Sequence, residues 1–148
     1  MNNVLWLVDH LGHNGILHGA GMYYLNTISG VQNGQFKTTL CVLRAQDQLT
    51  ASFWARGIQV HHLNRHKLDP RTLFDVLKLC RSQHIHLIHA HGYGASNFAR
   101  LAGRWSRIPV ILHAHDDDQN YPWYQGWADA VLSKCASGAI AVSESVKA

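Results

Sequence analysis

Two H-x-H pairs, His89-Ala90-His91 and His113-Ala114-His115, carry the side chains best suited to chemistry in this sequence, and Asp116, Asp117 and Asp118 follow the second pair at once. Imidazole donates or accepts a hydrogen bond, exchanges a proton near neutral pH and ligates metals through either nitrogen. Each pair closes a short apolar run, Ile85 to Ala90 before the first and Val110 to Leu112 before the second. Side chains two apart on a strand share a face, so His89 with His91, and His113 with His115, are set to point the same way.

The elements between them decide whether the pairs meet. Ile85 to Ala90 is too short for a helix and breaks at His91-Gly92-Tyr93-Gly94, which reads as a buried strand entering a loop. The next stretch is expected to be a helix that buries Phe98, Leu101, Ala102 and Trp105 and leaves Arg100, Arg104 and Arg107 on its solvated side. Ile108-Pro109 stops it, and Val110 to Leu112 starts the following strand. Parallel strands joined by a crossover helix end on the same edge of a sheet, so His89, His91, His113 and His115 are expected to open into one crevice.

The same alternation runs through the chain. Val4 to Val8, Lys37 to Leu43, Ile58 to Leu63 and Gly138 to Val142 read as further strands. Helices are expected at Gly21, Tyr24, Leu25 and Ile28, over Gln46 to Ala55, after the Asp69-Pro70 start with Leu73, Val76, Leu77 and Cys80, and through Tyr124, Trp127, Ala128, Val131, Leu132 and Cys135. Trp127 is assigned to the core stripe of the last of these. Tyr121 and Trp123 could stack on a sugar or rest at a membrane, and packing is the plainer reading. The pattern predicts one α/β domain over residues 1–148, a doubly wound, mostly parallel, Rossmann-like sheet of three layers with strand order 3-2-1-4-5-6. Ser143 reads as the N-cap of a helix whose first turn is Glu144 to Ala148, which suggests a piece of a longer polypeptide.

Composition narrows the classes. Hydrophobic residues make up 47% of the 148, enough for a sizeable core, whereas only 15% are charged, which suggests a surface partly meant for burial. Thirteen Lys plus Arg against nine Asp plus Glu give +4, without a basic run, so nucleic acid is not expected, and contact with phosphates or an anionic membrane stays open. Cys41, Cys80 and Cys135 are odd in number and sit in apolar patterns, so they read as core thiols of a reducing compartment. The longest early apolar run, Val4 to Val8, is too short for a signal or membrane span, and a cytoplasmic protein is expected, with room for contact at the inner face of the membrane.

After the first strand, Asp9 to Gly19 is dense in glycine and leads into a helix, an arrangement that offers amides and a helix dipole to a phosphate or merely turns the chain. The spacing is not that of a dinucleotide fingerprint. In order and spacing, His18-Gly19-Ala20, LIHAHGYGA, PVILHAHD and AIAVSESV resemble the N-terminal domain of glycosyltransferase family 4, the retaining, nucleotide-sugar-dependent enzymes of GT-B fold. The resemblance implies an acceptor-side half whose donor-binding C-terminal domain is missing from this chain, acting on a nucleotide sugar and a carbohydrate, lipid-linked or small-molecule acceptor. It also implies no metal and no cofactor beyond the donor as co-substrate. Residue by residue, it implies that His115 contacts the transferred sugar with Asp116 beside it, and that the Gly19 amide meets the donor diphosphate. The family's usual second glycine and acid at this helix are absent, since His18, Gly19, Ala20 and Gly21 stand there. His89, His91 and Tyr93 are placed to line the acceptor side, or are polar residues satisfied at a strand end. Two rivals remain. The H-x-H pairs suit zinc in a metal-dependent hydrolase, although hydrolases of the amidohydrolase type need a full barrel. The other rival is a non-catalytic module that binds a glycan or a partner domain.

Overall fold

A computed structural model describes residues 2–17, 19–32, 34–114 and 123–143. The main sheet has six strands: β1 (Asn2–Val8), β4 (Phe36–Val42), β5 (Gln59–His62), β6 (Leu87–His91), β7 (Val110–Ala114) and β8 (Gly138–Ala141). All neighbours are parallel and the order is β5-β4-β1-β6-β7-β8, which, counting these strands alone, is the expected 3-2-1-4-5-6. β1 lies near the middle, and Val4 to Val8 are all buried, as a strand covered on both faces requires.

Alternation along β1 divides the core into two. Leu5 and Leu7 pack with Cys41, Leu43 and the apolar sides of α3 (Arg71–Ser82) and α4 (Tyr93–Ser106). Val4, Trp6 and Val8 pack on the other face with Tyr24, Leu25 and Ile28 of α1 (Gly19–Val31) and Phe53 of α2 (Thr50–Trp54). The result is the three-layer, Rossmann-like α/β fold. Asp69, with Pro70 behind it, starts α3 as expected: its Oδ1 accepts the Arg71 amide at 2.9 Å.

Several local expectations are corrected. The glycine-dense segment after β1 holds a two-stranded hairpin, β2 (Gly12–His13) against β3 (Ile16–Leu17), turned by Asn14 and Gly15 at φ 51° and 73°. Paired positive φ values suit the Asn-Gly dipeptide, a signal that was present in the sequence. α2 covers only Thr50–Trp54 rather than Gln46 to Ala55, because the Asp47 carboxylate accepts the Leu49 amide at 2.9 Å and holds the chain in a turn first.

α4 buries only part of the expected stripe: Ala102 is buried and Phe98 packs against the core. Ala95, Ala99, Ala102 and Gly103 meet the sheet, Arg100 is buried, and Leu101 and Trp105 are exposed. Small residues let the helix approach closely: a Cβ on Gly103 would overlap Val110 Cγ2 and lie 2.8 Å from the Ile108 carbonyl. α5 (Gln125–Leu132) likewise buries Gln125 and leaves Trp127 72% exposed, so Trp127 is not a core residue. Trp123 is 92% exposed, its ring meeting only that of Tyr124 edge-on at 6.0 Å among the described residues. Cys41 and Cys80 are buried core thiols whose ionisation burial opposes, with Cys80 pushed up to about 11, whereas Cys135 is only half-buried.

His61 and His62 on the edge strand β5 are held below the ordinary imidazole range by burial. The unfolded chain takes up these protons near about pH 6.5. The native rings resist until lower pH, so stability is complete above that point and is lost as pH falls through it toward the native values. Melting curves from about pH 7.5 to about pH 5 should show a falling midpoint, and the double variant His61→Gln/His62→Gln should flatten that dependence. A wild-type midpoint indifferent to pH would remove the argument.

Candidate active site

Parallel pairing carries the chemistry to one edge. Val8 of β1 is level with His91 of β6, and His91 is level with His113 of β7. His89 and His91 lie on the face of β6 opposite Ile88 and Ala90, toward Trp6 and α1. His91 stacks on Trp6 at 4.9 Å and 16°, and Tyr24 meets the same ring edge-on at 4.7 Å. His113 lies 4.8 Å from His91 and 5.2 Å from Tyr23. Aromatic walls on this side hold the imidazole rings in place.

Three of the four histidines therefore converge as expected: the ligating nitrogens of His89, His91 and His113 all lie within 4.8 Å of one another. His89 Nε2 and His113 Nδ1 share a hydrogen bond at 3.3 Å. His91 and His113 are buried and line, with Tyr93, a cavity of about 430 Å³ that opens at the carboxyl edge. His89, half-buried, shares its hydrogen bond with His113, which lines the cavity wall. His115, Asp116 and Tyr121 lie outside the described residues, as do His18 and residues 144–148.

Two further groups shape the cavity, and neither was singled out in the sequence. Asp9, just past β1, accepts the Gly94 amide at 3.1 Å and pairs with Arg44 at 3.3 Å. Burial pushes its carboxyl up, and the Arg44 guanidinium and the Ala95 and Gly94 amides oppose that rise. Gly92 (φ 89°) and Gly94 leave room for it, since a Cβ on either would run into the Asp9 carboxylate. The anion seat at the start of α4 is thus filled by the chain's own carboxylate. The start of α1 differs: its first turn holds no acid, and Gly19 is exposed beside Ala20, which lines the cavity. An acid at the carboxyl end of the first strand was the available sequence signal for Asp9.

The second group joins α4 to α5. Arg100 donates to Asp129 Oδ1, Gln125 Nε2 donates to the same oxygen at 3.0 Å, and Asn97 Nδ2 donates to Gln125 Oε1 at 3.0 Å. Arg100, Gln125 and Asp129 all line the cavity, and Arg100 Nε is buried without an acceptor among the described residues. Paired donors and acceptors in a concave site suit a ligand whose groups both donate and accept, as hydroxyls do.

The model of Glycosyltransferase Family 4 matches residues 17–148. The chain belongs to glycosyltransferase family 4. No match was found among curated proteins. Among solved structures, a glycosyltransferase from Rickettsia africae ESF-5 is similar at a TM-score of 0.77 and 14% identity, over 99% of this chain and 38% of that one. MurG from Acinetobacter baumannii gives 0.71 and 11%, over 99% and 43%, and the spinosyn rhamnosyltransferase SpnG gives 0.59 and 14%, over 91% and 41%. At these identities the likeness is one of fold. The family 4 chain spans about two fifths of the length of each of these proteins.

Proposed function

We propose that this family 4 chain is the N-terminal, acceptor-side half of a retaining glycosyltransferase that moves a sugar from a nucleotide sugar to a carbohydrate, lipid-linked or small-molecule acceptor. The observation that carries the reading is the family match across nearly the whole chain, which falls on a domain whose hydroxyl-compatible cavity opens at the carboxyl edge of its sheet. In this reading Arg100, Asp129, Gln125, His91 and Tyr93 receive the acceptor, and the exposed Gly19 amide meets the donor diphosphate at the start of α1. His115 and Asp116, outside the described residues, act at the transferred sugar. A C-terminal domain of the same polypeptide supplies the base and ribose contacts and most of the phosphate contacts. The reaction takes place in the cytoplasm.

The test compares this chain with the complete polypeptide. A panel of nucleotide sugars should yield nucleoside diphosphate only with the complete polypeptide and an acceptor. By calorimetry, this chain alone should bind the same donors more weakly than micromolar, less than about 8 kcal/mol. Tighter binding to the chain alone would show that it carries its own donor site.

The histidine cluster favours one second reading, because nitrogens 3.3 Å apart are also spaced as two ligands of one zinc ion. The transferase reading needs no metal. Elemental analysis of the purified chain should find far less than one equivalent of zinc; one equivalent, lost on His89→Ala, would move the assignment to metal chemistry. Among the described residues, no helix is long and apolar enough to cross a membrane.

A further inference from the structure

We propose that Asp9 is a specificity-determining residue: its carboxylate keeps phosphate groups off the acceptor wall of the cavity and leaves the start of α1 to the donor diphosphate, a role that rests on the transferase reading. Two helices begin at this cavity, since Ala20 near the start of α1 and Tyr93 at the start of α4 both line it. The first amides of a helix have no acceptor within it and the dipole adds partial positive charge, so either start suits an anion. Without Asp9, the start of α4 would be the stronger of the two. Arg44 Nη2 lies 3.4 Å from where a Cβ on Gly94 would stand, whereas α1 carries no charged residue along Gly19–Val31. A diphosphate would then have a second place to bind, beside Tyr93, where the acceptor must sit.

Asp9 removes that choice. One carboxylate oxygen accepts the Gly94 amide at 3.1 Å and the other meets the Arg44 guanidinium at 3.3 Å, so the helix start and the cation are both satisfied from within the chain. The carboxylate is tethered to the end of β1, where the Leu43 amide donates to the Val8 carbonyl at 3.0 Å. Arg44 is held separately, its Nη1 donating to the Arg65 carbonyl at 3.1 Å. The cation therefore stays beside the start of α4 even when Asp9 loses its carboxylate. Glycine at 92 and 94 leaves the space that the carboxylate fills, and the same space accepts phosphate oxygens once it is gone.

The test titrates inorganic pyrophosphate into this chain and follows its amide signals by nuclear magnetic resonance. In the wild type, the Gly94 and Ala95 signals should not move. In Asp9→Ala both should move, with pyrophosphate bound at least about tenfold more tightly than by the wild type, and adding Arg44→Gln should remove the gain. If Asp9→Ala is unfolded in chloride, sodium phosphate at equal ionic strength should restore its circular dichroism, because the free anion then replaces the missing carboxylate. A folded Asp9→Ala with wild-type affinity, an unfolded one that phosphate does not restore, or wild-type signals of Gly94 and Ala95 that move with pyrophosphate would each overturn the proposal. The titration needs no transfer, so a complete polypeptide inactive on every donor sinks the transferase reading and leaves the exclusion of pyrophosphate by Asp9 standing.

Discussion

Replacing His115 by alanine in the complete polypeptide should lower turnover about a hundredfold while changing substrate binding far less, comparable to the loss of one preorganised donor. His115 follows directly on Ala114, the last residue of β7, and two residues after His113, whose ring lines the cavity. In the proposed reaction, a histidine there donates a hydrogen bond that strengthens as the bond between sugar and phosphate breaks. Only an interaction stronger in the transition state raises the rate, so its loss appears in kcat rather than in KM. His91→Ala provides the contrast. It removes a fully buried ring stacked on Trp6, and its first effect should be a melting point lowered by loss of packing. Measured together, kcat, KM and the melting curve separate the two roles. Full activity in His115→Ala, or activity lost only in proportion to unfolded protein, would leave this histidine without a part in catalysis.

Gly103→Ala should destabilise the domain by about 2–3 kcal/mol, a typical cost of overpacking a close contact, and lower its melting midpoint by roughly 5 to 10 °C. The added methyl would overlap Val110 Cγ2 and approach the Ile108 carbonyl at 2.8 Å. The valine can rotate, but the carbonyl belongs to the backbone entering β7, so α4 must lift from the sheet. Lifting α4 also disturbs Arg100 and its bond to Asp129, and with them the wall of the cavity. Gly126→Ala on α5 is the matched control: nothing lies within 4 Å of its added methyl, and alanine favours helix, so stability should hold or rise slightly. A wild-type melting curve for Gly103→Ala would show that the helix does not rely on this close approach.

The legible part of the architecture rested on local patterns. Short apolar runs separated by helical periods are enough to imply parallel strands with crossovers, and crossover geometry then places His89, His91 and His113 at neighbouring strand ends, where they are found. The Asp69-Pro70 helix start was readable because a cap acts within one turn of its own chain. Local patterning alone thus accounts for the alternation of elements, the order of the strands and the edge on which the histidines gather.

Which faces are buried and which polar groups are joined depends instead on how the elements pack against one another. Periodicity selected Leu101 and Trp105 for the core, along with Ala102, yet contact with a sheet rewards small residues that allow close approach, so Ala95, Ala99 and Gly103 face inward beside Ala102 while the two large residues do not. The larger residues are left to the surface between lysines and arginines. Arg100, assigned to solvent by its charge, is buried because Asp129, 29 residues later, comes within reach once α5 packs beside α4. Asp9 meets the Gly94 amide across 85 residues, a pairing that no local window contains. Charge and hydropathy are properties of single residues, whereas burial and partnership belong to pairs that the chain brings together only on folding.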